Sequence, residues 1–197
     1  NDSIDGGAGI DNITGGAGAD ILTGGAGKDT FNFADDASLE ASMDTIKDFS
    51  ATATDTDFDT LNVALSSDNV YNTVAKASAH DVSDHTTEIE TGTVKAYITN
   101  GIIALDGTET GTVDTLAEWI DIAEDAAVNG YVDNGGSDTG AEVVAAGFEF
   151  GGDTYVVIGD DGTTDNTYAT EGVFKLEGLT GVTAISETQA ANTIHLA

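Results

Sequence analysis

The 197-residue chain has no cysteine and no proline, and all five of its cationic side chains are lysines (Lys28, Lys47, Lys76, Lys95 and Lys175). Without cysteine there is no disulfide framework and no thiolate for metal binding or nucleophilic attack. With 36 Asp and Glu against those lysines, the formal net charge is −31. A nucleic-acid binder needs a cationic footprint for phosphates, and an anionic membrane surface would repel such a chain. Nucleic acid is therefore excluded as a partner, and membrane insertion is not expected, since no apolar run approaches a bilayer span. The first residues also lack the layout of a signal peptide. Catalytic signatures are missing as well: no HExxH, no GxSxG, no phosphate loop and no histidine pair tied to a nucleophile. Acidic pairs are so frequent that none stands out as a glycosidase dyad. The chain reads as a non-enzyme.

What remains is glycine, acid and a moderate apolar content. Apolar residues make up 40% of the chain, enough for a sizeable core in one or two domains and too many for charge-driven disorder. Such an excess of carboxylate invites cations.

Self-similarity is strongest at the start. Residues 6–14 read GGAGIDNIT, 15–23 GGAGADILT and 24–32 GGAGKDTFN, and the preceding NDSID is the tail of another copy. Asp2, Asp11, Asp20 and Asp29 recur at one phase, and Ile4, Ile13, Leu22 and Phe31 at another. Beginning within a repeat suggests the C-terminal piece of a longer protein. Glycines at the first, second and fourth positions allow positive φ and tight turning, with inward carbonyls unobstructed. The next three residues suit a short strand with one side chain inward. Two units make a coil, so Asp11 lies over Asp29 and Asp2 over Asp20. Bare carboxylates at a strand spacing of roughly 4.8 Å repel by about 1 kcal/mol in water and roughly 3–4 kcal/mol at intermediate dielectric. A cation must separate the turns, and oxygen-only donors select calcium.

These repeats resemble the RTX (repeats-in-toxin) nonapeptide GGxGxDxUx, a calcium-binding motif. The resemblance implies a parallel β-roll binding several Ca2+ ions through turn carbonyls and aspartates. The matching positions are Asp2; Gly6, Gly7, Gly9 and Asp11; Gly15, Gly16, Gly18 and Asp20; and Gly24, Gly25, Gly27 and Asp29.

After Phe31 and Phe33, the patterns Asp44-x-Ile46-x-Asp48-Phe49 and Asp59-x-Leu61-x-Val63 read as two more alternating strands around a polar turn. They resemble the segment that caps the roll in RTX proteins, including serralysin-type proteases. Asp44, Asp48, Asp57 and Asp59 are further candidate calcium ligands, with solvated turn acids as the alternative. Residues 64–93 form a polar connection. His80 and His85 have neither helical nor strand spacing for a metal pair, and His195 has no visible partner.

A second unit spans residues 94–197. Asn100-Gly101 signals a hairpin whose register pairs Ile98 with Ile103 and Ala96 with Leu105. Thr115-x-x-Glu118 predicts a capping box opening a helix over about 115–128, with Leu116, Trp119, Ile120, Ala123 and Ala127 as its buried stripe and Gly130 beyond its end. Phe148 and Phe150 before Gly151-Gly152, with Tyr155 and Val157 after, predict a second hairpin. Val173, Phe174, Leu176 and Leu179 predict a further strand. Asp160, Asp161 and Asp165 read as a plain acidic turn, with an ion site as the alternative. The stretches AAGFEFGGDTYVVIGDDG and VFKLEGLTGVT resemble the C-terminal domain of large RTX-type surface proteins, S-layer proteins and bluetail-type termini among them.

The expected fold is mainly β: residues 1–63 as calcium-bound roll and capping strands, then a β-rich unit with one helix. The expected function is a calcium-dependent folding, secretion and surface-assembly module at the C-terminus of an extracellular, S-layer or adhesin-like protein. The family resemblance implies type I secretion, and the ending ANTIHLA has the small, apolar character of such signals. Expected partners are calcium and either copies of itself in a lattice or cell-surface polysaccharide. Alternatives are the secretion and folding tail of an exported protease or lipase, and a glycan- or protein-binding adhesin module.

Overall fold

The computed structural model describes residues 1–34, 40–51, 57–64, 80–81, 95–99, 101–105, 113–129, 143–160, 169–188 and 193–197. Strands of three residues open the chain because each is bounded by a glycine turn: β1 (Ser3–Asp5), β2 (Asn12–Thr14) and β3 (Ile21–Thr23). They are followed by β4 (Thr30–Ala34), β5 (Asp44–Ile46) and β6 (Thr60–Ala64). Successive strands alternate between two sheets, β1-β3-β5 in one and β2-β4-β6 in the other, all parallel within each sheet. This is the right topology for a roll in which two nonapeptides make one coil.

The segment expected to close the roll does so by adding a coil. β5 stacks on β3 with Leu22 opposite Ile46, and β6 stacks on β4 with Phe31 opposite Leu61. The offset between stacked aspartates grows from 18 residues to 24 and then 30, with the extra chain in the turns. The strands nevertheless keep their phase, because slipping by one residue would turn every apolar side chain outward.

Two inward ladders result. Ile4, Leu22, Ile46 and Leu176 line up across one sheet, and Ile13, Phe31, Leu61 and Ile194 across the other. All but Ile4 are buried, and Ile4 packs against the same core. Full burial of each such side chain contributes about 1.5–3 kcal/mol.

The last member of each ladder belongs to the C-terminal half, which comprises β7 (His80–Asp81), β8 (Lys95–Thr99), β9 (Ile102–Leu105), α1 (Leu116–Asn129), β10 (Val143–Phe150), β11 (Asp153–Asp160), β12 (Ala169–Leu176), β13 (Ile185–Thr188) and β14 (Thr193–Leu196). β12 adds in parallel to β5, and β14 adds antiparallel to β6. Both roll sheets thus continue into the C-terminal strands, in the orders β1-β3-β5-β12-β11-β10-β9-β8-β7 and β13-β14-β6-β4-β2. One core holds Phe33 against Phe174, ring centroids 4.2 Å apart, together with Val156, Ile158 and Ile185. The Lys47–Glu177 ion pair, at 2.6 Å, bridges the two halves at the surface.

The other face of β10–β12 is covered by α1. Ile120, Ile122 and Ala123 pack there with Ala146, Phe148, Tyr155, Val157 and Val173. β11 is consequently buried on both faces from Thr154 to Ile158. The capping box is present: the Thr115 N–H donates to Glu118 Oε2 at 2.9 Å, and the Glu118 N–H donates to Thr115 Oγ1 at 3.3 Å. The hairpin register is as read, with Ile98 opposite Ile103 and Ala96 opposite Leu105. Gly151 and Gly152, at φ 65° and 93°, make the two-residue turn from Phe150 to Asp153. Ile122 joins the helix's buried face beyond the expected stripe. β12 stops at Leu176, short of Leu179, where Gly178 turns the chain at φ 74°. His85, Gly130, Asp161 and Asp165, and most of residues 64–93, lie outside the described residues.

Candidate metal centre

The turns of the roll stand in two rows, one along each side. One row carries Asp11, Asp29 and Asp59, and the other Asp2, Asp20 and Asp44. Each aspartate is tied to the one a coil earlier. The Asp2 N–H donates to Asp20 Oδ1 at 2.6 Å and the Asp20 N–H to Asp44 Oδ1 at 2.8 Å. The Asp11 N–H donates to Asp29 Oδ1, and the Asp29 N–H to Asp59 Oδ1, each at 2.9 Å. The repeat aspartate therefore has a structural duty for one oxygen, which sequence reasoning missed because it depends on stacking.

The second oxygen is the functional one. Oδ2 of Asp11, Asp20 and Asp29 is buried and has no hydrogen-bond partner among the described residues. An ionised carboxylate oxygen buried without compensation costs several kcal/mol. The first glycine of each repeat leaves room for it: a Cβ on Gly6, Gly15 or Gly24 would stand 3.0, 2.6 or 2.5 Å from that oxygen of Asp11, Asp20 or Asp29 respectively.

The three glycines of a repeat serve two purposes. Gly7, Gly9, Gly16, Gly18, Gly25 and Gly27 have φ between 88° and 135°, a region L side chains rarely adopt. The first glycines, expected to share it, are absent from that region and are required for space instead. Stacked turns also touch through backbone, with the Ala26 N–H donating to the Gly7 carbonyl at 2.8 Å. A Cβ on Gly25 or Gly27 would collide with the carbonyl oxygen of Gly7 or Gly9 in the coil beneath.

These donors fit calcium. Unsatisfied carboxylate oxygens lie beside glycine turns that offer only carbonyl oxygen, a hard and flexible set. Among the described residues, no three carboxylate or imidazole side chains converge on one point, so backbone carbonyls would complete the shell. Burial pushes Asp44 and Asp59 up to about 6 from the ordinary 3.8, against N–H bonds that lower them. The negative charges of Asp20 on Asp44 and of Asp29 on Asp59 raise them further.

The remaining candidates are placed differently. Asp48 accepts the Gly24 N–H at 2.9 Å and the Gly25 N–H at 2.8 Å. Asp57 is half-buried in the turn before Phe58. His195 does have a partner: it stacks on Phe58 at 5.1 Å, with Lys28 Nζ 5.3 Å from the centroid of that ring, and burial lowers its pKa.

Residues 1–31 match the family model described as the RTX calcium-binding nonapeptide repeat, in four copies. No curated protein matches the chain. The phase, the paired rows of aspartates and this match agree: residues 1–31 are an array of RTX repeats, and these repeats bind Ca2+.

Proposed function

We propose that this chain is a calcium-dependent folding, secretion and surface-assembly module at the C-terminus of an extracellular structural protein of S-layer or adhesin type, with no catalytic step of its own. The observation that carries the reading is the set of three buried, unpartnered Oδ2 atoms on Asp11, Asp20 and Asp29. They are tolerable only when a cation neutralises them.

Calcium, when bound, supplies positive charge between stacked turns. The protein does the rest. Glycines hold the turns in conformations that expose carbonyls, and the N–H to Oδ1 ladder orients each carboxylate. In low calcium, aspartate repulsion and glycine flexibility favour the open chain, which suits passage through a type I secretion channel. Outside the cell, an ion that binds only the folded form stabilises it by about 2.7 kcal/mol per site at 100 times its dissociation constant. The docked C-terminal strands then present a folded surface for lattice contacts or cell-surface polysaccharide.

Circular dichroism of the full chain in EGTA, in millimolar magnesium and in millimolar calcium tests the switch. The expected result is a gain of β signal in calcium alone, and an unchanged spectrum overturns the folding role. Light scattering in calcium, and pull-down on cell-wall polysaccharide, test the surface role. A chain that stays monomeric and binds no polysaccharide overturns the assembly part.

A further inference from the structure

The turn that follows β5 sits where a further glycine repeat would begin. Leu22 lies opposite Ile46, so two residues on, Asp48 stands over Gly24 as Gly24 stands over Gly6. In the repeats this position has no side chain, and the aspartate Oδ2 of the same repeat occupies the space. Asp48 fills it with its own Cβ.

All four carboxylate oxygens of Asp48 and Asp59, which bracket this last turn, are engaged by backbone donors. Asp48 Oδ1 and Oδ2 accept the N–H groups of Gly24 and Gly25. Asp59 Oδ1 accepts the Asp29 N–H, and its Oδ2 accepts the Ser50 N–H at 2.9 Å. Ser50 returns the bond through its carbonyl, which accepts the Asp59 N–H at 2.9 Å, so the loop between them is closed at its base. One coil lower, the Gly6 N–H is satisfied by the Thr23 carbonyl instead. The Asp48 side chain thus does for the turn of residues 24–29 what backbone does for the turn beneath. The successive N–H groups of Gly24 and Gly25 form an anion nest, and the Asp48 carboxylate held there needs no cation.

We propose that Asp48 and Asp59 are not calcium ligands but a calcium-independent lock that ends this row of turns and holds the turn 24–29 in its backbone course from above. The inference rests on the calcium reading of the repeats, and it divides the acidic residues of the row by role. Asp11 and Asp29 keep an oxygen for the ion, whereas Asp48 and Asp59 spend both of theirs on N–H groups.

An anomalous-difference map of the calcium-saturated full chain decides it without any substitution. The expected map shows calcium at about 2.3–2.6 Å from an oxygen of Asp29 and none in that range of Asp48 or Asp59. Calorimetry extends the test to variants. Asp48→Asn and Asp59→Asn should keep the wild-type calcium count, while Asp29→Asn loses bound calcium. Their melting temperature should fall by the same shift at saturating calcium and at about tenfold more, since a lock unlinked to the ion gains nothing from mass action. An ion on either Asp48 or Asp59, or one calcium lost in either variant, overturns the lock. A wild-type chain with no calcium anywhere in the roll overturns the calcium reading instead.

Discussion

Replacing Asp29 by Asn separates the two duties of the repeat aspartate. Asp29 is buried; its Oδ1 accepts the Asp11 N–H and its own N–H reaches Asp59. Asparagine keeps the Oδ1 acceptor and the shape, so the ladder survives, while the charge of the unpartnered Oδ2 disappears. Asp29 has a carboxylate neighbour on either side in its row, Asp11 and Asp59. At a strand spacing of about 4.8 Å, each like-charge pair costs between about 1 kcal/mol in water and about 3 kcal/mol at an effective dielectric near 20. Without calcium, Asp29→Asn relieves two such pairs and should therefore stabilise the fold by on the order of 2–6 kcal/mol. With calcium the sign reverses. A lost ligand charge worth more than about 1.4 kcal/mol raises the calcium midpoint by more than about tenfold. Urea unfolding in EGTA, paired with a calcium titration followed by circular dichroism, reads both effects. An unchanged calcium midpoint, or a variant equally destabilised with and without calcium, would refute the reasoning.

Ligand loss should be uneven along the roll: Asp29→Ala should weaken calcium-dependent stability more than Asp2→Ala, because the Asp2 side chain is exposed and Asp29 is buried between two turns. Equal calorimetric titrations of the two variants would contradict the pairing of turns 18 residues apart. The pH dependence of the calcium-free chain follows from Asp44 and Asp59, both raised to about 6 by burial. A raised acid binds its proton more tightly folded than unfolded, so stability should fall as pH rises from about 4 to 6. Glu118 and Asp153 are lowered, the first by N–H bonds from Thr115 and the second by Lys175, so their contribution is lost only at more acid pH. A melting temperature in EGTA that rises steadily from pH 4.5 to 7.5 would contradict this assignment. Deleting residues 94–197 strips β12 from β5 and β14 from β6, exposing Ile46 and Leu61 at the ends of both ladders. The remaining 1–93 chain should need more calcium to fold, and an equal calcium midpoint would show that docking does not assist the roll.

Local and periodic features of this protein are written in its sequence. The nine-residue phase alone places Ile13, Leu22 and Phe31 inside and stacks Asp11 on Asp29, since a repeated turn-plus-strand unit has only one way to bury a single apolar side chain per strand. The Asn100-Gly101 hairpin and the Thr115/Glu118 cap are equally legible, because their donors and acceptors lie within a few residues of each other. The tertiary structure decided what distance along the chain hides. That β5 and β6 lengthen the roll despite longer turns, and that β12 and β14 take the next places on its edges, depends on which strand edges stay open and which apolar faces match. The stacking of Phe58 on His195, the ion pair of Lys47 with Glu177 and the Asp48 contacts to Gly24 and Gly25 arise in the same way. An aspartate in a turn looks the same in sequence whether it meets an N–H or a cation. Only the coil stacked against it supplies the donor, or leaves the oxygen bare.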